Sequence, residues 1–250
     1  MKKFGLLCIS LLFIAVSATA QSSSITRFEG EDIKGLLVNG RFNVKIVKSS
    51  STMAQVDIAD KMVEKLVYEL TEEGYVRIAY GSTTENVFMA KSNIPTITVT
   101  MPVLEKLDLC GSITLLSSGE FTAEDFYFNV TDGATAEFVN VKCKNATVVC
   151  NGASDVEGLV INAEDTVTLH TKLAASLQVK GSAATAVVIS ESTSKIDMLL
   201  FDAPMIEAKT SGTSLVKANV SKKANLSKKG MSGFKYMGEG TVDGDKASKL

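Results

Sequence analysis

The chain of 250 residues is poor in the residues that usually build catalytic and metal sites. It contains one histidine, His170, and no tryptophan. A single histidine cannot by itself form a histidine-based zinc site or a facial triad, and no Cys-x-x-Cys pair is present. The sequence also lacks a Gly-x-Ser-x-Gly nucleophile elbow, an EF-hand loop and the calcium-binding nonapeptide repeat. We therefore expect no catalytic residues, no metal site and no cofactor.

Arginine is scarce as well, and the acidic residues are scattered. Enzymes that cleave polysaccharides need two carboxylates, or carboxylates with Arg or Lys, that converge in one groove. The three arginines all precede residue 97, and the acidic residues fall about one per predicted strand. These acidic residues are Asp132, Asp155, Glu157, Asp165, Glu191, Asp197 and Asp202. We interpret them as a solvated face and predict that the protein is not an enzyme; two acids meeting beside a cleft would favour a lyase or hydrolase instead.

Cysteines are few, and their number is odd once the N-terminal segment is set aside. Cys8 lies in that segment, which leaves Cys110, Cys143 and Cys150. An odd number argues against a disulfide framework in an exported protein. We expect these cysteines to be small apolar residues inside strands, with a Cys143–Cys150 pair as the open alternative.

Residues 1–20 have the pattern of a secretory signal peptide. Lys2 and Lys3 precede an apolar run at residues 6–16, and the small residues 18–20 form a cleavage site. The run is too short to cross a bilayer, which takes about 20 apolar residues. The formal charge is -2 for the whole chain. Without the two lysines it becomes -4, which is too small to indicate a nucleic-acid partner.

What the sequence does contain is a short repeat between residues 97 and 240. Pairs that contain at least one small residue return in steps of 22, 19, 21, 20, 19 and 20 residues. The pairs are Gly111-Ser112, Gly133-Ala134, Gly152-Ala153, Leu173-Ala174, Thr193-Ser194, Gly212-Thr213 and Ser232-Gly233. A fixed period of about 20 residues predicts an all-β solenoid, in which each turn buries its apolar side chains against its neighbours.

Between these corners, apolar residues stand two apart, as in Phe126, Phe128 and Val130. This spacing predicts two short strands per turn and a flattened coil with two main sheets. An antiparallel sandwich is the alternative, but it does not predict matching small residues at every second strand.

Residues 28–96 are predicted to form irregular N-terminal strands and a hairpin, after a mobile leader at residues 21–27. Asn39-Gly40 is a turn signal between two strands. Residues 60–70 fit either a helix or a helical turn at residues 60–65 followed by a hairpin through Gly74; the strand formers of residues 75–80 favour the hairpin. Residues 81–93 are predicted to be a surface loop.

Residues 97–112 combine a strand, Pro102, a leucine and the Gly111-Ser112 corner. This stretch resembles the entry motif of the putative autotransporter adhesin, head GIN domain family, and the strands around Gly40 and the hairpin through Gly74 are similar to its general layout. The resemblance covers residues 28–240. It implies an exported, right-handed β-helix-like protein of Gram-negative envelopes, with adhesion as its provisional role and no catalytic residues to carry over. The chain departs from the Gly-Ser-Gly corners of that family at residues 173–175 and 192–194.

We therefore predict a signal peptide at residues 1–20 and a single β-solenoid domain at residues 21–250, with its regular rungs at residues 97–240. The predicted function is that of an exported, non-enzymatic scaffold or adhesin-like surface in the periplasm or on the outer cell surface. A polysaccharide-binding module is the alternative, with Tyr75, Tyr80 and Tyr127 as candidate contacts. We expect a cell-surface polysaccharide or an envelope protein as partner, no nucleic acid and no membrane span. The lysine-rich residues after 221 would discourage end-to-end stacking or contact anionic envelope polymers.

Overall fold

The computed structural model describes residues 22–80 and 94–250, so the predicted signal peptide and the loop predicted at residues 81–93 lie outside the described residues. The described residues form 23 β-strands and one 3₁₀ helix, Asp60–Lys65. In chain order the strands are β1 Ser22–Arg27, β2 Gly35–Lys48, β3 Met53–Ala59, β4 Leu66–Leu70, β5 Tyr75–Tyr80, β6 Thr96–Met101, β7 Lys106–Ser118, β8 Glu120–Thr122, β9 Asp125–Thr131, β10 Thr135–Glu137, β11 Asn140–Cys143, β12 Asn145–Cys150, β13 Asp155–Ala163, β14 Thr166–Thr171, β15 Ser176–Ser182, β16 Thr185–Ser190, β17 Lys195–Asp202, β18 Met205–Gly212, β19 Leu215–Asn219, β20 Lys223–Gly230, β21 Gly233–Met237, β22 Thr241–Gly244 and β23 Ser248–Lys249.

The strands stack in parallel, one turn of chain above the next, and this confirms the predicted β-solenoid of about seven turns. The first face consists of β9, β12, β14, β16, β18, β20 and β22. The second face consists of β10, β13, β15, β17, β19, β21 and β23. Equivalent residues lie in register, so that Val148 pairs with Phe128 on one side and with Leu169 on the other. Neighbouring strands are about 4.8 Å apart.

A third set of parallel strands, which we call the third face, pairs along the middle turns. The prediction of two main sheets was therefore incomplete. The third face joins β8, β11 and the second halves of β13, β15 and β17. β13 bends into this third face at Gly158, whose φ is 64°, a value that glycine adopts more easily than other residues. The third face ends at Asp202, because only Val220 to Lys222 separate β19 from β20 in the next turn.

The interior is filled by the alternate residues of every strand, which form one hydrophobic core. Phe126, Phe128 and Val130 of β9 are all buried, whereas the residues between them face outward. Phe121 and Phe201 fill the interior beside the third face and are fully buried. This period of two is what a strand with one buried face requires.

The corner between the first and second faces contains a column of buried hydroxyl groups. In register along it stand Thr171, Ser190 and Thr210, and Ser194 and Ser214 belong to the same corner. The Ser194 hydroxyl lies 2.9 Å from the Thr171 hydroxyl and donates to the carbonyl of Glu191 at 2.8 Å. These hydrogen bonds satisfy polar groups that would otherwise be costly to bury.

The N-terminal region confirms one prediction and corrects two. The 3₁₀ helix is followed by the predicted hairpin of β4 and β5, so the alternative of a long helix was wrong. Residues 22–27 are not a mobile leader, because β1 pairs antiparallel with β3. Asn39-Gly40 is not a hairpin turn: β2 continues through it and changes face at Gly40, where φ is 134°. The described residues include no helix that is long and apolar enough to span a membrane.

Candidate binding surfaces

The aromatic residues that were candidates for glycan contacts lie near the N-terminal end of the first face, but they do not form one surface. Tyr80 is buried and stacks on Phe42 with ring centroids 4.8 Å apart, so its predicted exposure was wrong. Tyr127 faces outward as predicted and is 38% exposed. Tyr75 is half-buried.

Lys106 stands between the two outward tyrosines. Its ammonium lies 5.4 Å from the ring centroid of Tyr75 and 5.8 Å from that of Tyr127, within the range of cation–π contacts. Next to Tyr127 on the same face, Asn129 donates a hydrogen bond of 2.8 Å to Asp108. This part of the first face therefore has one exposed aromatic ring, that of Tyr127, beside the amide of Asn129 and the carboxylate of Asp108.

His170 lies on the outward side of β14, as predicted, and is bound in a small charged group. Its Nε2 lies 3.1 Å from a carboxylate oxygen of Glu191, and the Lys172 ammonium lies 3.3 Å from the same oxygen. Hydrogen bonds from His170 and then Lys172 lower the pKa of Glu191. Among residues 22–80 and 94–250, no group of three or more His, Cys, Asp or Glu side chains is arranged to hold a metal ion.

The acidic residues are dispersed over the outward rows, and two of them share a depression. Glu157 and Asp197 line a shallow cavity of about 170 Å³ on the second face. Gln178 of β15 pairs with Asp197 of β17, and Glu157 lies on β13 at the register shift between β13 and β15. The two carboxylates therefore belong to strands two spacings, or about 9.6 Å, apart. Asp197 is paired with Lys217 at 3.5 Å. The two carboxylates therefore do not converge on one bond as a retaining glycosidase requires.

Cys110, Cys143 and Cys150 carry free thiols, so the open alternative of a Cys143–Cys150 disulfide is not formed. Burial raises the pKa of Cys143 to about 11 and that of Cys150 to about 12. Thiols with such high pKa values are almost fully protonated at neutral pH and are poor nucleophiles.

Large apolar side chains are exposed where the second face turns into the third, and the sequence interpretation missed them. This apolar corner is a row along the turns that consists of Leu116, Phe138 and Leu200, and it continues beyond the end of the third face with Met237 at the end of β21. Phe138 is 64% exposed and has a left-handed φ of 60°, and Leu200 is 65% exposed. A possible signal was the run Met198-Leu199-Leu200, which breaks the alternation of buried and exposed residues.

A notch opens beside this corner, where the third face ends. Its volume is about 360 Å³, and Val179, Leu199, Leu200 and Met237 supply its apolar lining, with Lys180 among its polar residues. Exposed apolar patches rimmed by polar groups are typical of interaction sites. The apolar corner is therefore the strongest candidate for partner contacts.

Residues 32–240 match a family model described as "Putative auto-transporter adhesin, head GIN domain". No curated protein matches the chain. A "putative adhesin" from Parabacteroides distasonis ATCC 8503 has a similar solved structure, with a TM-score of 0.75, 14% identity, and coverage of 92% of this chain and 97% of its own.

Two further solved structures are similar over nearly their whole length. A "putative lipid binding protein" from the same Parabacteroides distasonis strain has a TM-score of 0.74 and 13% identity, covering 93% of this chain and 98% of its own. A "putative adhesin" from Parabacteroides merdae ATCC 43184 has a TM-score of 0.75 and 11% identity, covering 92% and 94%. At these identities the similarity shows the fold.

Proposed function

The chain belongs to the family described as "Putative auto-transporter adhesin, head GIN domain", and we propose that it is an exported, non-enzymatic adhesin-like scaffold. In this proposal the signal peptide at residues 1–20 directs export, and residues 21–250 act as one domain in the periplasm or on the outer surface of a Gram-negative bacterium. The stacked strands hold their outward side chains at a fixed spacing, so the coil acts as a rigid support for a binding surface. Its partner is an envelope protein or a surface polysaccharide.

The observation that carries this proposal is the apolar corner. Phe138 and Leu200 are 64% and 65% exposed, whereas most other large apolar residues among residues 22–80 and 94–250 are buried. Covering such a side chain contributes about 1.5–3 kcal/mol, which is enough to weaken binding tenfold or more when it is lost. A protein partner with a complementary apolar patch would gain this contribution.

The test is adhesion of beads that carry residues 21–250 to isolated envelopes, with a double variant Phe138→Asn and Leu200→Gln. Asparagine tolerates the left-handed φ of position 138, so the variant should fold. We expect adhesion to fall at least tenfold. The matched control, Val187→Thr with Ile189→Thr on the first face, should adhere like the parent. Equal adhesion of parent and double variant would contradict the proposal.

Polysaccharide binding is the second candidate function, and the exposed ring of Tyr127 beside Asp108 and Asn129 favours it. Sugar rings bind to an aromatic face together with a few orienting polar groups. On a glycan array, Tyr127→Ala should remove binding, and Tyr127→Phe, which keeps the ring, should retain it. Unchanged binding by the alanine variant would exclude this residue as the platform.

A further inference from the structure

Charge is segregated along the solenoid. Residues 105–165 contain three lysines and eleven acidic residues, a net charge of -8. Residues 166–250 contain twelve lysines and seven acidic residues, a net charge of +5 with His170 neutral. Such asymmetry between two parts of one chain is typical of proteins that orient against a charged surface.

The basic part includes a ridge at the corner between the first and second faces. In register along it stand the turns of Leu173, Ser192, Gly212 and Gly230, held by backbone hydrogen bonds such as Thr193 N–H to the Leu173 carbonyl at 3.0 Å. We name as the basic ridge the exposed and half-buried side chains on these turns and on the turn that follows: Lys172, Leu173, Lys228, Lys229, Met231 and Lys246.

Two acidic side chains, those of Glu191 and Asp245, lie beside these four lysines, and both accept hydrogen bonds from neighbouring groups. Glu191 accepts hydrogen bonds from His170 and Lys172. Asp245 accepts a hydrogen bond from the backbone N–H of Lys228 at 2.6 Å. Lys229 and Lys246 are exposed and make no ion pair among residues 22–80 and 94–250. The ridge therefore carries a net positive charge.

Two apolar side chains project from the same ridge. Leu173 is 54% exposed and Met231 is 83% exposed. Three strand spacings, or about 14 Å, separate their turns. Peripheral membrane proteins commonly place exposed apolar side chains between lysines, so that the apolar side chains enter the boundary between lipid headgroups and acyl chains.

The backbone at Leu173 gives an independent argument. Its φ is 57°. In the other turns the equivalent left-handed position holds either a glycine or a short polar residue: Asp132, Gly152, Ser192, Gly212 and Gly230. A leucine rarely adopts this conformation, and here it gains no burial from doing so. Strained residues of this kind are frequent at functional sites.

We propose that the basic ridge docks on an anionic phospholipid surface, with its lysines at the headgroups and with Leu173 and Met231 inserted between them. A soluble anionic polymer would satisfy the lysines, but it would give the two apolar side chains no apolar surroundings. The observations therefore favour a lipid surface over a polymer. This docking is separate from the apolar corner, which lies where the second face meets the third.

The test is co-sedimentation of residues 21–250, which contain all the described structure, with vesicles of phosphatidylcholine alone or with phosphatidylglycerol added. We expect binding only to the vesicles that contain phosphatidylglycerol, and weaker binding as salt is raised. Replacing Lys229 and Lys246 by Gln should reduce affinity about fivefold for each lysine. The matched control, Lys142→Gln with Lys144→Gln on the acidic part, should change it much less.

Leu173→Gly separates docking from folding. Glycine suits the left-handed φ at this position, so the variant should be at least as stable as the parent. We nevertheless expect its affinity for phosphatidylglycerol vesicles to fall at least fivefold, and that of Met231→Ser to fall similarly. The double variant Phe138→Asn with Leu200→Gln should bind vesicles like the parent even if it no longer adheres to envelopes.

Three outcomes would overturn the docking proposal. The first is the absence of binding to vesicles that contain phosphatidylglycerol. The second is an equal loss of vesicle affinity in the control variant Lys142→Gln with Lys144→Gln, which would indicate that binding depends on net charge and not on the basic ridge. The third is unchanged binding by Leu173→Gly and Met231→Ser together with full competition by dextran sulfate, which would assign the ridge to anionic polymers.

Discussion

The hydroxyl oxygens of Ser190 and Ser194 lie 3.0 Å apart inside the coil, although both residues are almost fully buried. The pair spans a corner, with Ser190 at the end of β16 and Ser194 just before β17. The same spacing of four residues recurs at Thr210 and Ser214 in the next turn. A narrow corner that leaves little room for large side chains is thus filled by short polar ones that bond to each other and to the backbone.

Ser194→Ala should destabilise the protein by about 1–3 kcal/mol, because it leaves buried partners without a hydrogen bond. Ser194 interacts with the hydroxyls of Thr171 and Ser190 and with two backbone carbonyls. Urea unfolding would measure the change in the free energy of unfolding. Ser182→Ala, at an exposed hydroxyl, is the control and should change it by less than about 0.5 kcal/mol; equal effects would contradict the role of the column.

Cys150→Ser should leave the stability unchanged or raise it by about 1 kcal/mol. Cys150 is in register with Thr171, and Ser154 follows it by four residues as Ser194 follows Ser190. The Ser154 hydroxyl is buried and has no hydrogen-bond partner among the described residues. A serine at position 150 would supply one, whereas Cys150→Val would not. Thermal unfolding of both variants tests this, and a serine variant less stable than the valine variant would show that the corner does not admit the bond.

Gly111→Ala should destabilise the protein by about 3 kcal/mol or more, since the added methyl has no space. A Cβ at Gly111 would lie 2.4 Å from the carbonyl oxygen of Gly40, and φ is 113°. Gly133→Ala is the matched control: its φ is 89°, but nothing lies within 4 Å of the added Cβ. It should lose only about 1 kcal/mol from the backbone conformation. Similar losses in urea unfolding would mean that the close contact with Gly40 relaxes.

Alkaline pH should destabilise the fold through the buried thiols. Burial raises the pKa of Cys143 to about 11 and of Cys150 to about 12, from an ordinary value of 9.0. Above pH 9 the unfolded chain loses these protons while the folded chain keeps them, so the folded state binds more protons and stability falls as pH rises. Below pH 9 both states are protonated and these thiols cause no slope.

The measurement is the urea midpoint at pH 8.0 and at pH 10.0, compared with a variant that carries valine at positions 143 and 150. The parent should lose more stability between these two pH values than the variant does. Parallel losses would assign the alkaline effect to other groups, such as Tyr68, whose pKa burial raises to about 12.

The sequence predicted the solenoid because its corners are marked by short residues at an even period, and pairs such as Gly133-Ala134 and Gly152-Ala153 need no partner to be recognised. The hairpin through Gly74 was predictable for the same local reason. Asn39-Gly40 misled the prediction, because the glycine lets β2 change face at a corner and the chain does not reverse. The preference of an Asn-Gly dipeptide for turns predicts a bend in the chain. It does not tell whether the next segment pairs antiparallel with the preceding strand or continues into the next face of the solenoid.

The apolar corner and the third face depend on register between turns, which local patterns do not contain. Leu200 is exposed because β17 has one more residue than β15 between the pairs Gln178–Asp197 and Lys180–Leu200, which shifts the alternation of buried and exposed side chains. Tyr80 was expected to be exposed as a candidate glycan contact, but its ring is buried and stacks on Phe42. Contacts of this kind join residues far apart in the sequence and appear only once the turns are stacked.

Register between turns also has a consequence for how such a protein can change its length. Leu173 and Ser192 occupy equivalent corners, and Leu177 of β15 pairs with Val156 on one side and Ile196 on the other. Excising residues 173–191 would join Lys172 to Ser192 and place β17 on β13 in the same alignment. A gene that gains or loses one such segment would lengthen or shorten the solenoid by about 4.8 Å. The core residues of the remaining turns would not have to change. Recombination can therefore alter the length of the protein while the surfaces at its two ends stay intact.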